Sequence, residues 1–142
     1  MGNHADSEMV FKHLRPLGGP VPRSPGRREA EMVWRKELVE ASKRADGSPP
    51  APEEQATLQY AVELDFFVTS ASVDLDNLTK PILDTLFSPG PENPNQAPWL
   101  KVTGKVFPAA HDSRVFELVQ RKTLVSESDK QGVKIKVSWS RA

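Results

Sequence analysis

Cysteine is absent from this 142-residue chain. That excludes disulfides and thiolate zinc sites and fits a reducing compartment, so a cytoplasmic location is the expectation. No apolar run approaches membrane-spanning length, so no bilayer crossing is expected. The N-terminus also lacks the basic, apolar, small-residue order of a secretory signal. Histidine stands only at positions 4, 13 and 111, too few and too scattered for a zinc enzyme. Neither sign of charge is in excess, since 19 Lys and Arg balance 19 Asp and Glu. That neutrality argues at first against a nucleic-acid partner, but the distribution is uneven. Residues 11–44 carry nine Lys/Arg against four Glu, and residues 101–142 carry nine against four Asp/Glu. Residues 45–100 hold one cation, Lys80, against nine acids. An acidic middle between two basic arms is compatible with a phosphate backbone gripped around an ion, and equally with ordinary solvated charge.

Proline is abundant, with 13 residues, and implies long loops. The length fits one domain. Residues 1–9 read as a flexible leader and 10–142 as the domain. Val10–Leu14 reads as a short strand, closed by Pro16 and the Gly18-Gly19-Pro20 turn. The stretch from Leu17 to Arg28 interleaves prolines with arginines and reads as a semi-extended basic loop or a plain connector. Ser24-Pro25 is a helix-start signature. The helix predicted from there to about Ala45 has Ala30, Val33, Trp34, Leu38, Ala41 and Ala45 on its apolar face. Residues 46–56 and 88–98 are rich in turn formers and read as loops. Between them, strict alternation from Leu58 to Val68 predicts a half-buried strand. A small hairpin is expected about Thr103-Gly104, a strand over Arg114–Leu124, and a final strand over Val133–Trp139. The order β-α-β-α-(β)-β-β predicts an α/β (α+β) domain of two layers, with a mixed β-sheet and two main helices.

The most informative run is Val73-Asp74-Leu75-Asp76-Asn77-Leu78-Thr79-Lys80-Pro81-Ile82-Leu83-Asp84-Thr85-Leu86. In strand geometry Asp74 and Asp76 would point the same way and aim their oxygens at one point. Hard divalent cations take such ligands and complete their shell with water and phosphate. In helix geometry Asp76, Lys80 and Asp84 would form one polar stripe, with Leu78, Ile82 and Leu86 turned to the core. Pro81 costs a helix one internal hydrogen bond, so the regular helix is expected from Leu78 or Thr79, leaving Asp74–Asn77 as a turn. Asp84 is the member most suited to a structural role, holding Lys80. An EF-hand is excluded by Leu78 and the missing glycine bend. A phosphatase of the haloacid-dehalogenase type would need a hydroxyl residue where Leu78 stands and a larger domain.

The pattern Asp-x-Asp-Asn-Leu-x-Lys-x-x-x-Asp-x-Leu after a strand, with His111-Asp112-Ser113-Arg114-Val115-Phe116 leading a later strand, resembles the RusA-type Holliday-junction resolvases. The resemblance is close over residues 60–86 and looser over 104–139. It implies a homodimeric, Mg²⁺-dependent (or Mn²⁺-dependent) endonuclease that cuts branched DNA in recombination and repair. It further implies that Asp74, Asp76 and Asp112 are metal ligands and Lys80 the catalytic lysine. The family often has an acid where His111 stands, leaving this residue a general base, a weak ligand or a bystander. Arg23, Arg27, Arg28, Lys101 and Lys105 are candidate DNA contacts. The longer path from Leu86 to Asp112 leaves a second reading open, a catalytically degenerate binder of branched DNA with the same fold.

Overall fold

The computed structural model of the protein describes residues 7–13, 25–72, 74–88 and 104–141, without the side chains of 25–31, 77 and 128. Its centre is β2 (Leu58–Val68), whose residues alternate between buried and half-buried along all 11 positions. Alternation of that kind places Tyr60, Val62, Leu64 and Phe66 on one face of a sheet and Ala61, Glu63 and Asp65 on the other. β6 (Gly132–Arg141) pairs antiparallel with β2, and β1 (Glu8–His13) pairs antiparallel with β6. β5 (Val115–Leu124) pairs parallel with β2, from Tyr60↔Val115 to Val68↔Leu124. The sheet is therefore mixed, in the order β1-β6-β2-β5. β1 starts at Glu8, so the expected leader is two residues shorter at its end, because Met9 is buried in the core.

Two helices of more than one turn cover one face. α1 (Pro25–Ser42) buries Trp34, Leu38 and Ala41, as its apolar spacing predicts. Val33 corrects that expectation, since it is 49% exposed while the neighbouring Arg35 is buried. The face of α1 turned inward is thus rotated from the one predicted. α3 (Leu75–Leu86) buries Leu78, Ile82 and Leu86 against the same core. It starts three or four residues earlier than expected and carries Pro81 inside. Asp74 caps its first turn, and the Thr85 hydroxyl donates to the Pro81 carbonyl at 2.7 Å.

The segment after α1 is better held than a turn-rich loop suggests. Asp46 bridges to Val10, and a single helical turn, α2 (Pro52–Gln55), buries Gln55. The Gln55 amide donates to the Pro50 carbonyl and accepts from the Ala109 amide, both at 2.9 Å. The hairpin expected about Gly104 falls largely outside the described residues. After it, β4 (Phe107–His111) pairs in parallel with the two-residue β3 (Phe87–Ser88). That pairing stacks Phe87 on Phe107 at 5.2 Å, with Tyr60 edge-on to both. Burial pushes the Tyr60 phenol up to about 12, and its hydroxyl donates to the Gln55 carbonyl at 2.9 Å.

Candidate metal centre

β2 runs out at Val68, and the chain reaches Asp74 six residues later. Asp74 is extended (φ −82°, ψ 126°) and is the N-cap of α3, its carboxylate accepting the Asp76 amide at 3.0 Å. Asp76 lies in the first helical turn. The two aspartates are thus brought together by a helix start, where the sequence suggested the end of a strand. A helix start favours carboxylates, because its free N–H groups and the positive end of its dipole face them. Both side chains are exposed. One Asp74 oxygen is engaged by the cap.

Some acids carry cation partners, while Asp74 and Asp76, like Glu53, Glu54 and Glu117, form no ion pair among the described residues. Glu63 and Asp65, acids two residues apart on a sheet face, are bridged by Arg121 at 2.6 and 3.0 Å. Glu8 pairs with Lys136 and Glu40 with Lys43. Two solvent-facing carboxylates without a cation suit Mg²⁺, which typically takes one or two protein carboxylates and fills its octahedron with water and phosphate oxygens.

Lys80 follows on α3 with its side chain exposed, one helical turn from Asp76. Asp84 does not hold it. Its carboxylate lies 3.7 Å from buried Arg35, and its backbone carbonyl accepts from Lys105. The polar stripe predicted along the helix is therefore divided, with Asp76 and Lys80 facing water and Asp84 turned toward Arg35. Lys105, a candidate DNA contact, is half-buried where it donates to the Asp84 carbonyl. Burial lowers its pKa, as does the nearby Arg35, while Asp84 partly offsets them. Arg23 and Lys101 lie outside the described residues. Arg27 and Arg28 fall in α1, where their side chains are not described.

Asp112 is not brought to the pair. It lies in a single 3-10 turn, Asp112–Arg114, immediately before β5. Because β5 is parallel to β2, that turn sits beside the beginning of β2, while Asp74 follows its end. Eight strand steps separate the two ends of the paired stretch, about 26 Å at ~3.3 Å per residue. The sequence expectation that β5 would run beside the strand leading to Asp74 holds, but its direction puts Asp112 at the far end. His111 lies beside it, its Nδ1 3.2 Å from an Asp112 oxygen and accepting the Ser113 amide at 2.9 Å. Among the described residues no three His, Cys, Asp or Glu side chains gather at one point.

Sequence reasoning missed the groups that hold the aspartate turn. The Lys122 ammonium donates to the Ala71 carbonyl at 2.6 Å, and the Thr79 hydroxyl meets the Gln120 side-chain oxygen at 2.5 Å. Gln120 and Lys122 interrupt a strand face otherwise made of Phe116, Leu118 and Leu124, and that break in the alternation was the available signal. Comparisons of the chain with protein-family models, with curated proteins and with solved structures return no match.

Proposed function

We propose that the protein is a Mg²⁺-dependent endonuclease that cuts branched, four-way DNA, with the Asp74–Asp76 turn as its metal site. The observation that carries this reading is the pair of exposed carboxylates at the start of α3, without a cation partner among the described residues and one turn from Lys80. Asp74 and Asp76 would hold the ion and, through it, the scissile phosphate. When bound, Mg²⁺ supplies an acidified water and neutralises charge on the phosphate. Lys80 would place its ammonium against the developing negative charge or the leaving oxygen.

With Asp74 and Asp76 past one end of β2 and Asp112 beside its other end, a second copy would have to supply the third carboxylate. β5 is the edge of its sheet, and among the described residues no strand pairs with its outer side. It exposes Phe116 (62%), Leu118 (39%) and Leu124 (60%). An open edge carrying apolar side chains is primed to pair with another strand. Two β5 strands paired antiparallel about a two-fold axis would carry Asp112 of a second copy to the end of the sheet where the Asp74–Asp76 turn lies. The dimer would also present two sites, as symmetric cutting of a junction requires.

Subunit mixing tests this arrangement. Asp76→Asn and Asp112→Asn chains are each expected to be inactive, but a mixed dimer built in trans keeps one intact site. An equimolar mixture then recovers about a quarter of the wild-type nicking, since half the dimers are mixed and each has one working site of two. No recovery, with exchange of subunits verified, would mean that Asp112 does not act across the dimer. The separation of Asp112 from the pair also favours a second reading, a branched-DNA binder that does not cut. Wild-type protein that retains a four-way junction over linear duplex yet leaves it whole in Mg²⁺ would establish that reading instead.

A further inference from the structure

Gln120 and Lys122 stand two apart on β5 and therefore reach from the same face of the strand. Each grips the chain on a different side of the aspartate turn. Lys122 donates to the Ala71 carbonyl, three residues before Asp74. Gln120 meets the hydroxyl of Thr79, three residues after Asp76. The β2–β5 ladder needs neither bond, because after a bulge at Tyr60/Ala61 it runs regularly from Ala61↔Glu117 to Val68↔Leu124 and continues in the Val125 amide to Val68 carbonyl bond at 2.8 Å. The loop itself has few other anchors among the described residues. Ser70 and Ser72 bond one another at 2.7 Å, and Thr69 reaches Gln131 at 3.4 Å. The Lys122 side chain is exposed, so core packing does not account for its placement either.

From this bracket we propose that Lys122 is a positioning residue for the divalent-cation site. Its ammonium fixes the approach to Asp74 from β5, while Gln120 holds the helix that carries Asp76. The inference rests on the metal reading above. A lysine suits the task because it donates to a carbonyl and also brings a positive charge to the chain three residues before Asp74, the nearer of two carboxylates that repel one another. The same strand would then carry both the edge that pairs with a second copy and the clamp that shapes the site, so that pairing and metal binding share one element.

The test compares full-length wild type, Lys122→Met and Lys122→Arg, with Mn²⁺ as the probe ion. Affinity is read from water-proton relaxation, loop order from amide hydrogen exchange, and folding from thermal melting. Removing a group that orients metal ligands typically weakens binding about 10-fold, and Lys122→Met is expected to do this while melting within a few degrees of wild type. The amides of residues 70–72 and 74–76 are expected to exchange faster in the same variant. Lys122→Arg, which keeps a donor and a charge, is expected to recover most of both losses. Unchanged Mn²⁺ affinity in Lys122→Met would overturn the proposal, as would an arginine variant no better than the methionine one. Failure of the wild-type protein to bind Mn²⁺ would sink the metal reading itself, and the exchange comparison would still report whether Lys122 orders the turn.

Discussion

Asp76→Asn is expected to abolish junction cleavage while leaving junction binding intact or tighter. A neutral amide is a poor ligand for a hard cation, and losing the ion removes both the acidified water and the charge neutralisation it supplies. A loss of about 4 kcal/mol in transition-state stabilisation corresponds to a roughly 1,000-fold slower cut. Binding follows the opposite logic. The pair sits without a cation among the described residues, so removing one negative charge eases the approach of a phosphate backbone. The fold should tolerate the change, because Asp76 is exposed and its contribution through the helix dipole is only about 0.3–1 kcal/mol. Single-turnover cleavage and a gel-shift titration on one synthetic junction check both halves. Full-rate cleavage by the variant at ordinary Mg²⁺ would remove Asp76 from the site.

Gly47→Ala is expected to be the most destabilising single change away from the site. Gly47 has φ +92°, and a Cβ built there would lie 2.1 Å from the backbone oxygen of Glu8. The clash is with backbone and cannot be relieved by a rotamer change. The neighbouring Asp46 exchanges two hydrogen bonds with Val10, at 2.9 and 3.0 Å, so the loop cannot withdraw without losing them. Left-handed strain of about 1–2 kcal/mol adds to an overpacking cost of about 1–3 kcal/mol. For a domain of this size each kcal/mol shifts melting by about 3 °C, so the melting temperature should fall by roughly 6–15 °C. A variant melting within 2 °C of wild type would mean that β1 and the loop after α1 are not held this closely.

The parts of the fold legible in the sequence were those that rest on local patterning. Alternation from Leu58 to Val68 and from Val133 to Trp139 produced central strands, and the four-residue spacing of Leu78, Ile82 and Leu86 produced a buried helix face. The adjacency of Asp74 and Asp76 was legible as well, although a helix cap provides it. What was hidden depends on long-range register. Whether β5 runs parallel or antiparallel to β2 leaves no mark in either strand's side-chain pattern, yet it decides which end of the sheet receives Asp112. Likewise, nothing local distinguishes Asp84 paired with Lys80 from Asp84 turned to Arg35. Pro81 misled for a different reason. Its penalty of one hydrogen bond was real, but the cap at Asp74 and the buried leucines outweighed it.

Paramagnetic Mn²⁺ titrated into isotope-labelled wild-type protein locates the bound ion, because broadening of amide resonances falls steeply with distance from it. Early loss of signals is expected from residues 74–80, together with those of residues 111–114, which within one chain lie beside the other end of β2. Resonances beside Glu63 and Asp65, already bridged by Arg121, should persist to higher Mn²⁺. Early broadening centred on Glu63 and Asp65, or none that is localised at all, would contradict a metal site at the Asp74–Asp76 turn.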